Sequence, residues 1–250
     1  MKLQFKQIVT LIFSVFLLSC NAEENGSAPA PPAVNPPAVN PNLPISGPIN
    51  YLALGDSYTI GQSVCETCRF PEQLKESLNA MYGVSISSKI IATTGWTTSN
   101  LLAGIKAQAL EPKYDLVTLL IGVNNQYQHR NFSVYEKEFP ELVTKAIELA
   151  KGDRKNVIVI SIPDYAYTPY GKSVARNSSA MISAEIDQYN KFAENYCNDN
   201  KITFVNITDI TRQGLENPEL VANDGLHPSK LAYSRFVERM MPKVKMALED

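Results

Sequence analysis

Three residues of this 250-residue chain carry the groups needed for nucleophilic acyl transfer. Ser57 lies in Gly55-Asp56-Ser57, directly after the apolar run 51–54. A serine hydroxyl is a weak nucleophile until a base removes its proton, and imidazole is the usual base. His227 follows Asp224 by three residues, a spacing at which the carboxylate can set the imidazole tautomer and stabilise its protonated form. Ser57, Asp224 and His227 could therefore supply a nucleophile, an orienting acid and a base. A turn with a capping serine and a helix-entry turn with a chance histidine are the alternatives.

Acyl transfer also needs hydrogen-bond donors for the oxyanion. Gly95 and Asn124 each follow an apolar run, and both are candidates for that role. A glycine lets a backbone N–H approach a ligand closely, and an asparagine side chain offers an amide donor. The other histidine, His129, lies in the polar run 126–130, a context that favours a solvated loop residue.

The elements that must position these side chains are visible as alternating patterns. Apolar runs predict strands at 51–54, 84–91, 116–121, 157–162 and 202–207. Helical patterns fall at 71–81, 138–151, 184–199 and 229–248. Continuous Val-, Ile- and Leu-rich strands interleaved with helices predict a doubly wound α/β domain, with a mainly parallel five-stranded sheet and helices on both faces. In such a sheet the active site lies beyond the carboxyl ends of the strands.

These blocks, in this order, resemble those of the SGNH/GDSL hydrolase family over residues 50 to about 248. The resemblance implies a flavodoxin-like fold and the following roles: nucleophile Ser57, base His227, orienting acid Asp224, and oxyanion donors in the amides of Ser57 and Gly95 and the side chain of Asn124. One position departs from the pattern. The family usually has Asp after the block-three asparagine, and this chain has Asn125, which bears on how Asn124 is supported.

The resemblance implies a cofactor-free serine esterase that cleaves carboxylic esters or thioesters through an acyl-enzyme. It is closest to the lysophospholipase, thioesterase and arylesterase branch. Three alternatives stay open: a carbohydrate O-deacetylase, an acyltransferase to sugar hydroxyls, and a non-catalytic glycan-binding lipoprotein. The loop 164–170 holds three tyrosines, which either line the acyl or sugar pocket or are ordinary loop aromatics.

Composition limits the partners. The chain is 44% hydrophobic and 19% charged, with a net charge of −2, so it offers no basic surface to nucleic acid. We expect a monomer that binds a small acyl ester, either a lipid or an acylated sugar, and no nucleic acid or metal.

The N-terminus has the order of a secretory signal: Lys2 and Lys6, an apolar run at 8–18, then Ser19-Cys20. The ending 17–20 resembles a bacterial lipobox, in which the cysteine is lipidated. We therefore predict a signal peptide at 1–19, a lipidated Pro-rich tether at 20–49 and a hydrolase domain at 50–250. The expected location is extracytoplasmic, anchored to the bacterial envelope at the outer membrane or cell surface. A cleaved signal with an incidental cysteine is the alternative.

The oxidising compartment that the signal sequence predicts favours a disulfide between nearby cysteines. Cys65 and Cys68 are spaced for a local disulfide, and a redox motif or half a zinc site is the alternative. Cys197 lies in a helical pattern and is predicted to be a buried free thiol.

We expect labelled palmitate to be incorporated into the wild type and to be absent from a Cys20→Ala variant, because acylation would occur at that sulfur. Equal labelling of both proteins, measured after expression in a bacterial host, would reject lipidation at Cys20.

Overall fold

The computed structural model describes residue 45, residues 47–175 and residues 179–249. The predicted signal peptide at 1–19, Cys20 and most of the predicted tether at 20–49 lie outside the described residues, and these assignments stay predictions. In the described ranges, no helix is long and apolar enough to cross a membrane.

The core of the domain is a sheet of five parallel strands in the order β2-β1-β3-β4-β5. The strands are β1 (Ile49–Gly55), β2 (Ile86–Ala92), β3 (Leu116–Leu120), β4 (Val157–Ile160) and β5 (Thr203–Val205). All five strands predicted from the sequence are present. The first begins one residue before the predicted domain boundary.

Nine α-helices lie in the described ranges. They are α1 (Ser57–Ile60), α2 (Phe70–Tyr82), α3 (Thr98–Ala107), α4 (Val123–Tyr127), α5 (Phe132–Leu149), α6 (Pro169–Ala175), α7 (Ser179–Asp199), α8 (Thr208–Thr211) and α9 (Lys230–Glu249). Short 3₁₀ turns occur at Glu66–Cys68, Arg154–Asn156, Tyr165–Tyr167 and Pro218–Leu220.

The helices cover both faces of the sheet because the chain reverses direction. The chain passes from β1 to β2 on one side of it, and the connection from β2 then crosses back over β1 to β3 on the other side. Right-handed crossovers then place α2 on one face and α3, α5 and α7 on the other. The packing agrees, since α2 contacts α9, whereas α5 contacts both α3 and α7. The doubly wound architecture predicted from the sequence is confirmed.

Burial distinguishes the central strands from the edges. Every residue of β3 and β4 is buried, and only Asn50 of β1 is partly exposed. The edge strand β2 instead exposes Ser87 and Lys89. Its sequence resembles that of a strand buried on both faces, but β2 lies at the end of the sheet and is only partly covered. A charged residue on an edge strand also discourages pairing with another chain.

The helices α3, α4 and α6, all near the site, were missed from the sequence, and α3 is the longest of them. Helix α3 begins with a capping box, in which the Thr97 side chain accepts a backbone N–H and Asn100 accepts from the Thr97 N–H. Leu101 and Ile105, spaced by four residues, are its buried apolar side chains. Both signals are present in the sequence, but the helix is short and its apolar face is narrow. Helix α5 also starts earlier than predicted and continues through Pro140.

The cysteine predictions are confirmed. Cys65 and Cys68 form a disulfide, and Cys197 is a buried free thiol. Burial raises the pKa of Cys197 to about 12, so this thiol stays protonated and unreactive at neutral pH.

The register of the sheet brings the candidate residues together. Gly55 pairs with Ala92 on one side and with Leu120 on the other, so β1, β2 and β3 end side by side. Ser57, Gly95 and Asn124 follow these strand ends within a few residues.

Candidate active site

Ser57 is the first residue of α1, immediately beyond β1, and is 4% exposed. The preceding residue, Asp56, caps this helix by accepting the Tyr58 backbone N–H at 3.0 Å. Gly61 closes the helix with its N–H bonded to the Ser57 carbonyl. The single turn therefore holds Ser57 rigidly at the edge of the sheet.

Asp56 is fully buried and also accepts the Asn124 Nδ2–H at 3.4 Å. Burial raises the pKa of Asp56 to about 7, although the hydrogen bonds from Tyr58 and Asn124 work to lower it. Asp56 thus connects the serine turn to the loop after β3, and it does so with a carboxyl group that is only partly ionised at neutral pH.

Asp224 and His227 form the local pair that their spacing predicts. Asp224 Oδ2 lies 2.6 Å from His227 Nδ1, and Asp224 Oδ1 accepts the backbone N–H groups of Leu226 at 2.9 Å and His227 at 3.0 Å. With Nδ1 directed at the carboxylate, Nε2 is the ring nitrogen left to act on a hydroxyl.

The turn that carries this pair is braced from two sides. An isolated antiparallel bridge joins Val221 to Pro228, and the Ala222 N–H donates to the His227 carbonyl at 2.7 Å. The Tyr58 ring lies against the imidazole, with ring centroids 5.1 Å apart. Pro228 belongs to this bridge, and α9 begins after it at Lys230.

A residue that the sequence analysis missed, Ser63, donates its hydroxyl to Asp224 Oδ2 at 2.6 Å. Burial works to raise the pKa of Asp224, but the hydrogen bonds from Ser63, His227 and Leu226 together lower it to about 2. Asp224 is therefore a carboxylate throughout the physiological pH range.

Gly95 adopts the left-handed conformation, with φ of +83°, which a residue with a Cβ rarely takes. Its carbonyl accepts from Gln128 Nε2 at 2.9 Å, and the neighbouring Thr94 hydroxyl donates to Gln62 Oε1 at 2.6 Å. Asn124 Nδ2 donates to the Trp96 carbonyl at 3.0 Å. The loop after β2 is thus fixed by residues of both neighbouring segments.

Asn125, where the family pattern has Asp, is a completely buried residue of α4 that contacts the first residue of α3. Its Oδ1 accepts the Thr98 backbone N–H at 3.0 Å, and its Nδ2 donates to the Thr98 hydroxyl at 2.7 Å. The Thr98 hydroxyl in turn donates to Glu138 at 2.5 Å. Asn125 thus supplies a neutral amide to α3, and the carboxylate of this network, Glu138, belongs to α5.

Two backbone donors remain available at the site. Among the described residues, neither the N–H of Ser57 nor that of Gly95 makes a hydrogen bond. Both residues line the same cavity as Asn124 and His227. Unpaired N–H groups facing a cavity can stabilise a negatively charged oxygen.

The cavity has a volume of about 190 Å³. Its lining residues are Ser57, Tyr58, Thr94, Gly95, Val123, Asn124, Tyr127, Tyr165, Tyr170, Leu226 and His227. No hydrogen bond joins the Ser57 hydroxyl to the His227 ring in this described part of the chain, and such contacts commonly tighten only when substrate binds.

Two of the three tyrosines of loop 164–170 line this cavity, and Tyr127 from α4 adds a third ring. Tyr127 and Tyr170 share a 2.5 Å hydrogen bond between their hydroxyls, and Tyr127 meets the edge of Tyr165. The loop is held by the buried Asp164, whose Oδ2 accepts from Arg212 at 2.9 Å. Tyr167 is 37% exposed and lies outside the cavity lining.

The other candidates do not join the site. His129 is exposed on the surface, as its polar context predicts. In the ranges that the structure describes, no group of three or more His, Cys, Asp or Glu side chains could hold a metal ion.

A doubly wound sheet that presents a serine and an Asp-paired imidazole at its switch point defines an ester-bond hydrolase. Residues 53–235 match the GDSL-like lipase/acylhydrolase family model. That match spans more than half of the chain, and the protein belongs to this family.

Solved structures share the fold at low sequence identity. An acetyl xylan esterase variant from Geobacillus stearothermophilus aligns with a TM-score of 0.62 at 18% identity, covering 82% of this chain and 98% of that chain. A lipase/acylhydrolase from Enterococcus faecalis gives 0.62 at 20% identity, covering 79% and 95%. An esterase from Pseudoalteromonas gives 0.59 at 18% identity, covering 80% and 99%. A search of curated proteins finds no match.

The raised pKa of Asp56 predicts a pH-dependent stability difference between the wild type and Asp56→Asn. A carboxyl whose pKa is raised on folding stabilises the fold below the unfolded value of about 4, and this contribution is lost as pH rises through about 7. The asparagine variant does not titrate there.

Urea denaturation of both proteins at pH 4 to 8 should show the stability of the wild type, relative to the variant, declining by on the order of a few kcal/mol. A relative stability that stays constant or grows with pH would contradict the assignment.

Proposed function

We propose that Ser57, His227 and Asp224 form the catalytic triad of a serine esterase. The observation that carries this proposal is the 2.6 Å contact between Asp224 Oδ2 and His227 Nδ1, made beside a cavity that Ser57 and His227 both line. His227 Nε2 takes the Ser57 proton while the serine oxygen attacks the ester carbonyl, and Asp224 stabilises the resulting imidazolium.

The attack places a negative charge on the carbonyl oxygen. The free N–H groups of Ser57 and Gly95 are the backbone donors for that charge. Asn124 joins them by giving up its longer, 3.4 Å hydrogen bond to Asp56 while it keeps the 3.0 Å bond to the Trp96 carbonyl. The imidazolium then protonates the departing alcohol, and an acyl-enzyme remains on Ser57.

Deacylation repeats the sequence with water as the nucleophile. His227 removes a proton from the water, the same donors stabilise the second oxyanion, and the acid leaves as Ser57 regains its proton.

Replacement of the nucleophile is the direct test of this mechanism. Ser57→Ala should lower the kcat for p-nitrophenyl acetate by at least about a thousandfold, because no acyl-enzyme can form. Ser234→Ala is the matched control, since that serine bonds only within α9 and its loss should leave turnover unchanged. Turnover indifferent to Ser57 would reject the triad. No turnover by the wild type would favour the acyltransferase or the non-catalytic glycan-binding alternative.

For the substrate, we propose a short acyl group. A cavity of about 190 Å³ is smaller than the roughly 300–1,000 Å³ of sites that enclose drug-sized ligands, and a long fatty chain would extend beyond it. This size supports deacetylation more than a lysophospholipase-like or arylesterase-like activity.

Carbohydrate acetate is the specific substrate class that we favour. Tyr127 is 42% exposed at the mouth of the cavity, and its ring can stack on a sugar while the ester carbonyl reaches Ser57. The structural neighbour from Geobacillus stearothermophilus is named as an acetyl xylan esterase. The aryl group of an aryl ester could stack on the Tyr127 ring in the same way, so an arylesterase is the alternative. Anchoring through Cys20 would place this activity at the bacterial envelope.

A chain-length series separates these alternatives. Among p-nitrophenyl acetate, butyrate, octanoate and palmitate, kcat/KM should be highest for acetate and at least about tenfold lower for palmitate. The first added methylenes would crowd the walls of the small pocket, and those that extend beyond it would gain no binding energy. As a second comparison, an acetylated oligosaccharide should be a better substrate than a palmitoyl lysophospholipid. The reverse order for both comparisons would reassign the protein to the lysophospholipase branch.

A further inference from the structure

The catalytic carboxylate has a partner outside the triad. Ser63 Oγ donates to Asp224 Oδ2 at 2.6 Å, the oxygen that also lies 2.6 Å from His227 Nδ1. Asp224 Oδ1 is already held by two backbone N–H groups. With Ser63 present, both oxygens of the carboxylate have donors besides the imidazole, and its plane is fixed.

The backbone at Ser63 is unusual for a serine. Its φ is +67°, in the left-handed region, which costs conformational energy for any residue with a Cβ. Glycine would adopt this conformation without that cost. The serine hydroxyl, which glycine lacks, makes the contact to Asp224.

The segment that presents Ser63 is held at both ends. On its N-terminal side, Gly61 bonds back to the Ser57 carbonyl. On its C-terminal side, the Cys65–Cys68 disulfide closes the turn that leads into α2. In between, Gln62 accepts the Thr94 hydroxyl at 2.6 Å. One short segment thus contacts both the loop of Gly95 and the turn of Asp224.

We propose that Ser63 is a positioning residue that orients Asp224 toward His227, and that the Cys65–Cys68 disulfide holds the segment that presents it. This inference rests on the proposed triad. Ser63 acts through Asp224 and does not line the cavity that holds Ser57 and His227, so it bears on the rate of the chemical step and leaves substrate binding unaffected.

Ser63→Gly is the decisive variant, because it keeps the left-handed backbone and removes only the hydroxyl. On p-nitrophenyl acetate its kcat should fall about tenfold, the effect of losing one hydrogen bond to a charged group. Its KM should stay within about twofold of the wild-type value. Ser63→Asn should recover part of the loss, because asparagine tolerates positive φ and its amide can donate to Asp224.

Lys201→Gly is the matched control. Lys201 also has a positive φ, of +57°, and its side chain is exposed near β5, so relief of strain there should leave kcat unchanged. A wild-type kcat in Ser63→Gly, or a raised KM with an unchanged kcat, would overturn the positioning role.

Reduction tests the part played by the disulfide. Dithiothreitol, with opening of the Cys65–Cys68 bond verified by alkylation and intact mass, should lower the kcat of the wild type and have no further effect on Ser63→Gly. Equal fractional losses in both proteins would overturn the coupling, because the two changes would then act independently. The Ser57→Ala measurement distinguishes failure of the proposed triad from failure of the Ser63 proposal. Wild-type turnover in Ser57→Ala would reject the triad, and the Ser63 proposal with it. An inactive Ser57→Ala together with a fully active Ser63→Gly would reject only the role of Ser63.

Discussion

The alignment of β1 between β2 and β3 is the constraint on which the rest of the site depends. Gly55 pairs with Ala92 and with Leu120, so three loops leave the sheet at the same height. A slip of β1 by one residue would move each of its side chains to the opposite face of the sheet. Both faces of this strand are packed against the core. The apolar core therefore prevents such a slip. The same packing that stabilises the domain brings the serine, glycine and asparagine loops together.

Buried polar side chains then connect those loops to one another. Asp56 joins the turn of Ser57 to Asn124, and Asn125 joins α4 to the start of α3 through Thr98. Burying such groups costs free energy unless their hydrogen bonds are satisfied. The cost is visible at Asp56, where burial raises the pKa to about 7. The bond from the Tyr58 N–H to Asp56 holds the turn of Ser57 in place, whereas the longer bond from Asn124 to Asp56 is the one given up in the proposed oxyanion hole.

The substrate side and the catalytic side of the site are mechanically linked. The Tyr170 backbone N–H donates to the Gly225 carbonyl at 2.9 Å, which ties the tyrosine loop to the turn between Asp224 and His227. Tyr58, next to the nucleophile, packs on the imidazole. The walls of the candidate pocket are therefore built on the same segments that orient the proposed triad.

The sequence by itself determined the features that depend on neighbouring residues. The Asp224–His227 pair and the Cys65–Cys68 disulfide each span three residues, and the strands are apolar runs that must be buried. Helix α3 was also local, yet its short apolar face was overlooked. Only the tertiary structure showed that β2 is an edge strand, that Tyr127 joins the tyrosines of loop 164–170, and that Ser63 contacts Asp224 across 161 residues of chain. Such contacts depend on sheet order and packing, because an exposed serine or tyrosine has the same local pattern with or without a distant partner.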